Sequence, residues 1–221
     1  MNVSDTLKER KSVRAYLPKD VEKEKIEHIL NCAKHAPSGV NTQPWQVCVV
    51  SKDSKKRLDA KMTDAFLSNE KENMDYQYYP LVWNEVYKNR RKETGLQMYK
   101  TLEITREDKD KQLKQWTKNY DAFGAPVVLY FFIDKDMQKG SYLDYGMFLQ
   151  SIALVAVEQG LSTCIQAALA QYPDIVKDEL NIPKDKILLC GIALGYEDKN
   201  DVVNSYRTSR VELEEFVEFF E

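Results

Sequence analysis

The chain has 221 residues, 43% of them hydrophobic and 30% charged, with 32 basic side chains against 35 acidic ones and a net charge of −3. That length supports a full core in one domain, or in one domain with an insertion, and so even a charge balance offers little to a nucleic acid or an anionic membrane. The first fourteen residues are mostly polar, the apolar run from Met147 to Val157 is interrupted by Gln150 and Ser151, and Cys32, Cys48, Cys164 and Cys190 form no CxxC pair, so the expectation is a cytoplasmic protein with reduced thiols and no membrane span. His28 and His35 share a helix face without a third ligand at helical spacing, and no metal site is expected.

Ser4 is expected to cap a short helix running to about Glu9. Arg10-Lys11-Ser12-Val13-Arg14 follows. In an extended chain Arg10, Ser12 and Arg14 point the same way, because strand side chains alternate. Two guanidinium forks and a hydroxyl on one side suit a phosphate, although a basic surface turn has the same composition. Asp20 is expected to open a second helix to about His35, with Ile26, Ile29, Leu30 and Ala33 on its apolar face. Next comes Ala36-Pro37-Ser38-Gly39-Val40-Asn41-Thr42-Gln43-Pro44-Trp45. Two prolines fix φ there, Gly39 is free of that restriction, and Ser38, Asn41, Thr42 and Gln43 carry donors and acceptors. Two readings fit this stiff corner: a solvated connection, or a set of hydrogen bonds presented to a flat, polar-edged ligand. A strand from Trp45 to Val50 and a helix from Lys52 to Phe66 should follow.

Residues 67 to 122 change character, being polar yet carrying Tyr76, Tyr79, Trp83, Tyr87 and Tyr99. They read as a helical insertion within a single domain spanning residues 1 to 221. Those aromatics line a lid over a pocket, pack on the body, or do both. Gly95 to Tyr99 is expected to break the helical stretch, and Glu107–Lys111 and Asp110–Lys114 are spaced for i,i+4 pairs. Val127 to Ile133 is a continuous apolar run, hence a strand buried on both faces. Asp144 is expected to cap a helix from Tyr145 to Gln159, closed by Gly160, whose middle is apolar nearly all round and needs cover on every side, in part from a second subunit. A short strand to Gln166, two short helices and a second buried strand from Ile187 to Gly195 complete the pattern. Arg207 and Arg210, three apart, can share a face, and Phe216-Val217-Glu218-Phe219-Phe220 must dock on the body or on a neighbour. GxGxxG, GxxxxGK[ST] and GxSxG are all absent, which argues against Rossmann, P-loop and serine-triad chemistry. Strands separated by helices indicate a layered α/β or α+β domain.

Arg10 to Arg14, then Ala36 to Trp45, then Gly124-Ala125-Pro126-Val127-Val128, Asp144 to Thr163, Leu188 to Tyr196 and Arg207-Thr208-Ser209-Arg210 together resemble the FMN-dependent nitroreductase superfamily, in order and over nearly the whole chain. Residues 67 to 122 match only its variable region. The resemblance implies an α+β fold, an α/β/α sandwich around a mixed, mainly antiparallel sheet. It also implies a homodimer with two tightly bound FMN at the subunit interface. Arg10, Lys11 and Ser12 would lie on the phosphate side and Arg14 at the pyrimidine edge. Pro37, Ser38, Asn41 and Gln43 of the other subunit would line the ring, and Cys164, Ile165 and Gln166 would run beside N5 and O4. One of Arg207 and Arg210 would grip the phosphate. The implied activity is ping-pong reduction of nitroaromatic or quinone-like acceptors by NAD(P)H through flavin N5, with the flavin carrying the chemistry and no catalytic side chain. Lys11 stands where many relatives carry arginine. Two alternatives remain: a flavin-binding sensor or store, and a reductive dehalogenase whose lid would read an amino acid through residues such as Glu72, Tyr76 and Lys100.

Overall fold

A computed structural model describes residues 2–221. Its centre is a four-stranded sheet of β1 (Gln46–Ser51), β2 (Val127–Asp134), β3 (Ser162–Gln166) and β4 (Lys186–Gly195). The order is β1-β2-β4-β3 and every ladder is antiparallel. The one parallel element is a single bridge from Ser12 to Thr163, on the outer side of β3. The expected mixed sheet is therefore antiparallel apart from that bridge.

The two central strands are apolar on both faces because both faces are covered. Val128, Tyr130 and Phe132 of β2 face a cluster with Leu58 and Met62 of α3 (Lys52–Leu67) and Val176 of α7 (Pro173–Leu180). Val127, Leu129, Phe131 and Ile133 face Ile26, Ile29 and Ala33 of α2 (Lys23–Ala33) and Tyr145, Phe148, Ile152 and Ala156 of α6 (Lys139–Glu158). This is the expected helix–sheet–helix sandwich. Register shifts between Phe131 and Phe132, where Cys190 and then Leu188 are the partners, so Leu189 is the extra residue of a bulge.

Several boundaries differ from the sequence reading. Helix α1 (Val3–Glu9) is capped by Asn2, whose side-chain oxygen accepts from Asp5 N at 2.9 Å, and not by Ser4. Helix α2 begins at Lys23 and not at Asp20, with no side-chain cap. Helix α6 begins at Lys139, so Asp144 lies inside it, where its carboxylate accepts from another segment. Gly160 ends α6 as expected, at φ 70°, with Leu161 N bonding Ala156 O at 2.8 Å and Gly160 N bonding Val157 O at 3.0 Å. Helix α4 (Glu85–Thr101) runs unbroken through Gly95, and Lys111 of α5 (Lys109–Thr117) meets Asp108 at 3.7 Å in place of the pair expected with Glu107.

Two apolar surfaces find no cover among the described residues. Helix α6 is buried on the sheet side only, leaving Leu143 74% exposed and Met147 39%. The tail does not dock on its own body, with Phe219 80% and Phe220 88% exposed. No helix among the described residues is long and apolar enough to cross a membrane.

Candidate functional site

The stretch after α1 is extended, as alternation requires. Val13 turns into the core, while Arg10, Ser12 and Arg14 face a cavity of about 620 Å³ that also takes Tyr206, Arg207 and Arg210. Burial lowers the pKa of the Arg10 guanidinium, and the neighbouring charges of Arg210 and Arg207 lower it further. Three arginines thus converge with no carboxylate among the residues lining that cavity. Such a donor set fits a phosphate, which would relieve the mutual repulsion and take forked hydrogen bonds.

The three arginines are not equivalent. Arg207 donates to Glu9 O and Arg10 O, each at 2.9 Å, and to Lys8 O. It closes the C-terminus of α1, where unpaired carbonyls and the negative end of the helix attract a cation. Arg210 bonds only its own turn, to Thr208 and Ser209, so its fork is open to the cavity. Lys11 turns away from the other basic groups, its ammonium meeting Glu197 at 2.7 Å and Asn204 O at 2.6 Å.

Asn204 was not singled out by the sequence, yet its buried side chain holds this stretch in place. It accepts from Arg14 N at 2.8 Å and donates to Ala15 O and Asp198 O, both at 2.9 Å. The Arg14 guanidinium is oriented by Tyr206 Oη at 3.2 Å and Ser12 O at 3.3 Å. Arg14 also lines a second cavity, of about 810 Å³, beside Ile165, Gln166, Asn119 and Trp116. Gln166 donates to Asn119 O at 3.0 Å, while its Oε1 is buried without a partner. Cys164 is buried beside them. Burial pushes its thiol up, against the pull of Arg14, a hydrogen bond from Ser12, and Arg10, so it stays protonated and inert near neutral pH. The structure brings Arg10, Ser12, Arg14, Arg207 and Arg210 around one cavity, and Arg14, Cys164, Ile165 and Gln166 around the other.

The polar corner is elsewhere. It enters β1 at Gln46, which pairs with Phe132 at one end of the sheet, whereas Ser12 pairs with Thr163 at the far edge and the other end, level with Ser51. Four inter-strand spacings of about 4.8 Å and five residues of about 3.4 Å put the two anchor points roughly 25 Å apart. None of Pro37, Ser38, Asn41 and Gln43 lines the cavities that hold Arg14.

The corner is rigid. Gly39 N donates to Asp144 Oδ1 at 3.1 Å, Gln46 N donates to Tyr145 Oη at 2.7 Å, and Trp45 stacks on Phe148 at 4.7 Å and 7°. Ser38 Oγ accepts from Gln43 N at 3.0 Å. The left-handed residues are Val40, Asn41 and Gln43, at φ 44°, 60° and 47°, rather than Gly39. A β-branched residue rarely adopts that conformation, and Val40 does so with its side chain 98% exposed.

Of the insertion's aromatics, Tyr76 and Tyr79 line the 810 Å³ cavity and Tyr99 lines an adjoining one of about 310 Å³. Trp83 packs near Tyr79, at 5.7 Å between ring centroids, and Tyr87 is exposed. Tyr76 is pinned by the β4 bulge: its hydroxyl donates to Leu189 O at 2.7 Å. Asp75, next to it, accepts from Leu188 N at 2.8 Å and pairs at 2.8 Å with Lys177, which is buried. No motif announces this clamp. Its only sequence signal is the acid–aromatic pair Asp75-Tyr76 within the polar insertion, and the bulge that completes it is a tertiary feature.

Comparison with known proteins gives one family. The Nitroreductase family model matches residues 7–196. A 4-nitrobenzoate reductase from Pseudomonas putida is 36% identical over 95% of this chain and 92% of its own length. A crystal structure of an FMN- and NADPH-dependent nitroreductase from Sphigopyxis sp. strain HMH superposes with TM-score 0.96 at 34% identity, covering 100% of both chains. That of an FMN-dependent nitroreductase from Mycobacterium smegmatis in complex with NADPH gives 0.94 at 32% identity, covering 99% of this chain and 97% of that one.

The anchoring of the corner can be tested at Tyr145. Its hydroxyl accepts from Gln46 N at a half-buried position and donates to Phe132 O at a buried one, so Tyr145→Phe removes both bonds and is expected to cost about 1–3 kcal/mol of stability, read as a lower urea midpoint at unchanged slope.

Proposed function

The chain belongs to the nitroreductase family, and from that premise we propose that it is an FMN-dependent NAD(P)H oxidoreductase that reduces nitroaromatic acceptors, reductant and acceptor using the flavin face in turn. The observation that carries this reading is the convergence of Arg10, Arg207 and Arg210 around one cavity that opens through Arg14 onto an aromatic-walled one. Bound FMN supplies the hydride- and electron-transfer chemistry. The chain's own residues bind and orient it. Arg10 and Arg210 neutralise the phosphate, with Ser12 at the same wall. Arg14, held by Tyr206, sets a positive charge against the pyrimidine edge. Ile165 and Gln166 flank the reacting side of the ring, with Cys164 beneath them. Lys11 supports the loop from behind through Glu197 and Asn204.

Pro37, Ser38, Asn41 and Gln43 belong to this proposal through a second copy of the chain. Their diagonal separation from the arginines supports a homodimer in which each flavin is held by residues of both subunits. The uncovered face of α6 and the exposed tail supply the apolar area that such an interface needs. Residues 67–122 act as the lid of the single domain, with Tyr76, Tyr79, Trp83, Tyr87 and Tyr99 near the acceptor. A cytoplasmic setting is part of the same reading and is supported by four free cysteines.

Two outcomes are expected. Protein loaded with FMN should show a flavin absorbance band that bleaches anaerobically with NADPH or NADH and returns when nitrobenzene is added. A band that never bleaches would leave a flavin store, and a halotyrosine that restores the band in place of nitrobenzene would make the protein a dehalogenase. At the phosphate, Arg210→Ala is expected to weaken FMN binding about 10- to 100-fold with the unfolding midpoint of the flavin-free protein unchanged. Arg207→Ala should lower that midpoint, since it uncaps α1. Equal effects of the two variants on flavin affinity alone would contradict this division.

A further inference from the structure

Arg91, on the inner side of α4, is a cation without an anion. Its guanidinium lies 5.2 Å from the Trp83 ring and 5.8 Å from the Tyr79 ring, within cation–π range. Among the described residues no carboxylate pairs with it, whereas its neighbour Arg90 meets Glu215 at 3.3 Å. The aromatic faces hold the guanidinium and leave its N–H edges free. Arg91 lines both the 810 Å³ cavity and the adjoining 310 Å³ one, each beside Arg14. The smaller cavity has Trp116, Phe123 and Tyr99 as walls and no acidic residue. The larger contains one carboxylate, Glu72, and it makes no ion pair with Arg91 among the described residues. A volume near 310 Å³ lined by aromatic rings suits a single substituted benzene ring and is small for a dinucleotide.

We infer that Arg91 is a specificity residue that reads a carboxylate on the acceptor ring, so that the preferred acceptors are anionic nitroaromatics of the nitrobenzoate class. This rests on the oxidoreductase reading above and narrows it. The carboxylate takes the forked edge of Arg91, and the ring lies among Trp116, Phe123 and Tyr99. Because the anion is met at a partly open site, the preference weakens as ionic strength rises.

The experiment compares FMN-loaded wild type with Arg91→Ala and Arg91→Lys. Equilibrium dialysis first measures binding of 4-nitrobenzoate and nitrobenzene to the oxidised protein. Steady-state kinetics then measure KM and kcat for both acceptors and for NADPH. Arg91→Ala is expected to weaken 4-nitrobenzoate binding and raise its KM about tenfold, with kcat, nitrobenzene kinetics, NADPH KM and flavin affinity within about twofold of wild type. Arg91→Lys should recover part of the loss. An equal loss for both acceptors, or no loss for either, overturns the inference. So does a rise confined to NADPH KM, which would assign Arg91 to a phosphate of the reductant. Selective binding of 4-nitrobenzoate without oxidation of either NADPH or NADH would keep the anion site and sink the oxidoreductase reading, so the two failures are separable.

Discussion

The grip of helix α6 on the loop from Pro37 to Trp45 is the contact on which the rest depends. Asp144 takes Gly39 N–H, Tyr145 takes Gln46 N–H, and Phe148 stacks on Trp45. A loop holding three non-glycine residues at positive φ is strained by roughly 1–3 kcal/mol at each, and it keeps that shape only where its surroundings over-determine it. Those anchors also decide where the loop's polar groups point. They fix them at one corner of the sheet, diagonally across from the arginines on the outer side of β3. A single copy therefore keeps the loop's polar groups and the arginines at opposite corners of the sheet, and the proposed dimer would bring the two together.

The opposite corner is organised by charge. Arg10, Arg207 and Arg210 repel one another in a partly buried cavity, a cost met by hydrogen bonds that do not involve a ligand. Arg207 is satisfied by the end of α1, and Asn204 fixes the backbone of Arg14 and Ala15. The wall is built before any anion arrives, so binding is not charged with ordering it. The β4 bulge does the same for the aromatic-walled cavity by exposing the Leu189 carbonyl to Tyr76.

How much of this was readable follows from the range of each interaction. The buried strands and the residues of the arginine stretch could be read because alternation and apolar runs are local patterns. Asp144 was misread as a cap because an acid at the start of an apolar run is a good helix opener, and only the packed structure reveals that its partner lies 105 residues away. Gly39 is the residue of that corner with the greatest backbone freedom, yet Val40, Asn41 and Gln43 adopt the left-handed conformation, since tertiary anchoring here overrides preference. The division of labour between Arg207 and Arg210 was invisible, because it turns on carbonyls of Lys8, Glu9 and Arg10. Arg91 carried no signal at all in a polar helix with no buried residue.

In the proposed dimer, each flavin site takes residues from two copies of the chain. Native mass spectrometry of the FMN-loaded protein across a dilution series tests it directly. Dimers carrying two FMN are expected, with flavin lost as the dimer comes apart and none on the monomer. A monomer that keeps FMN as tightly as the dimer does would contradict it.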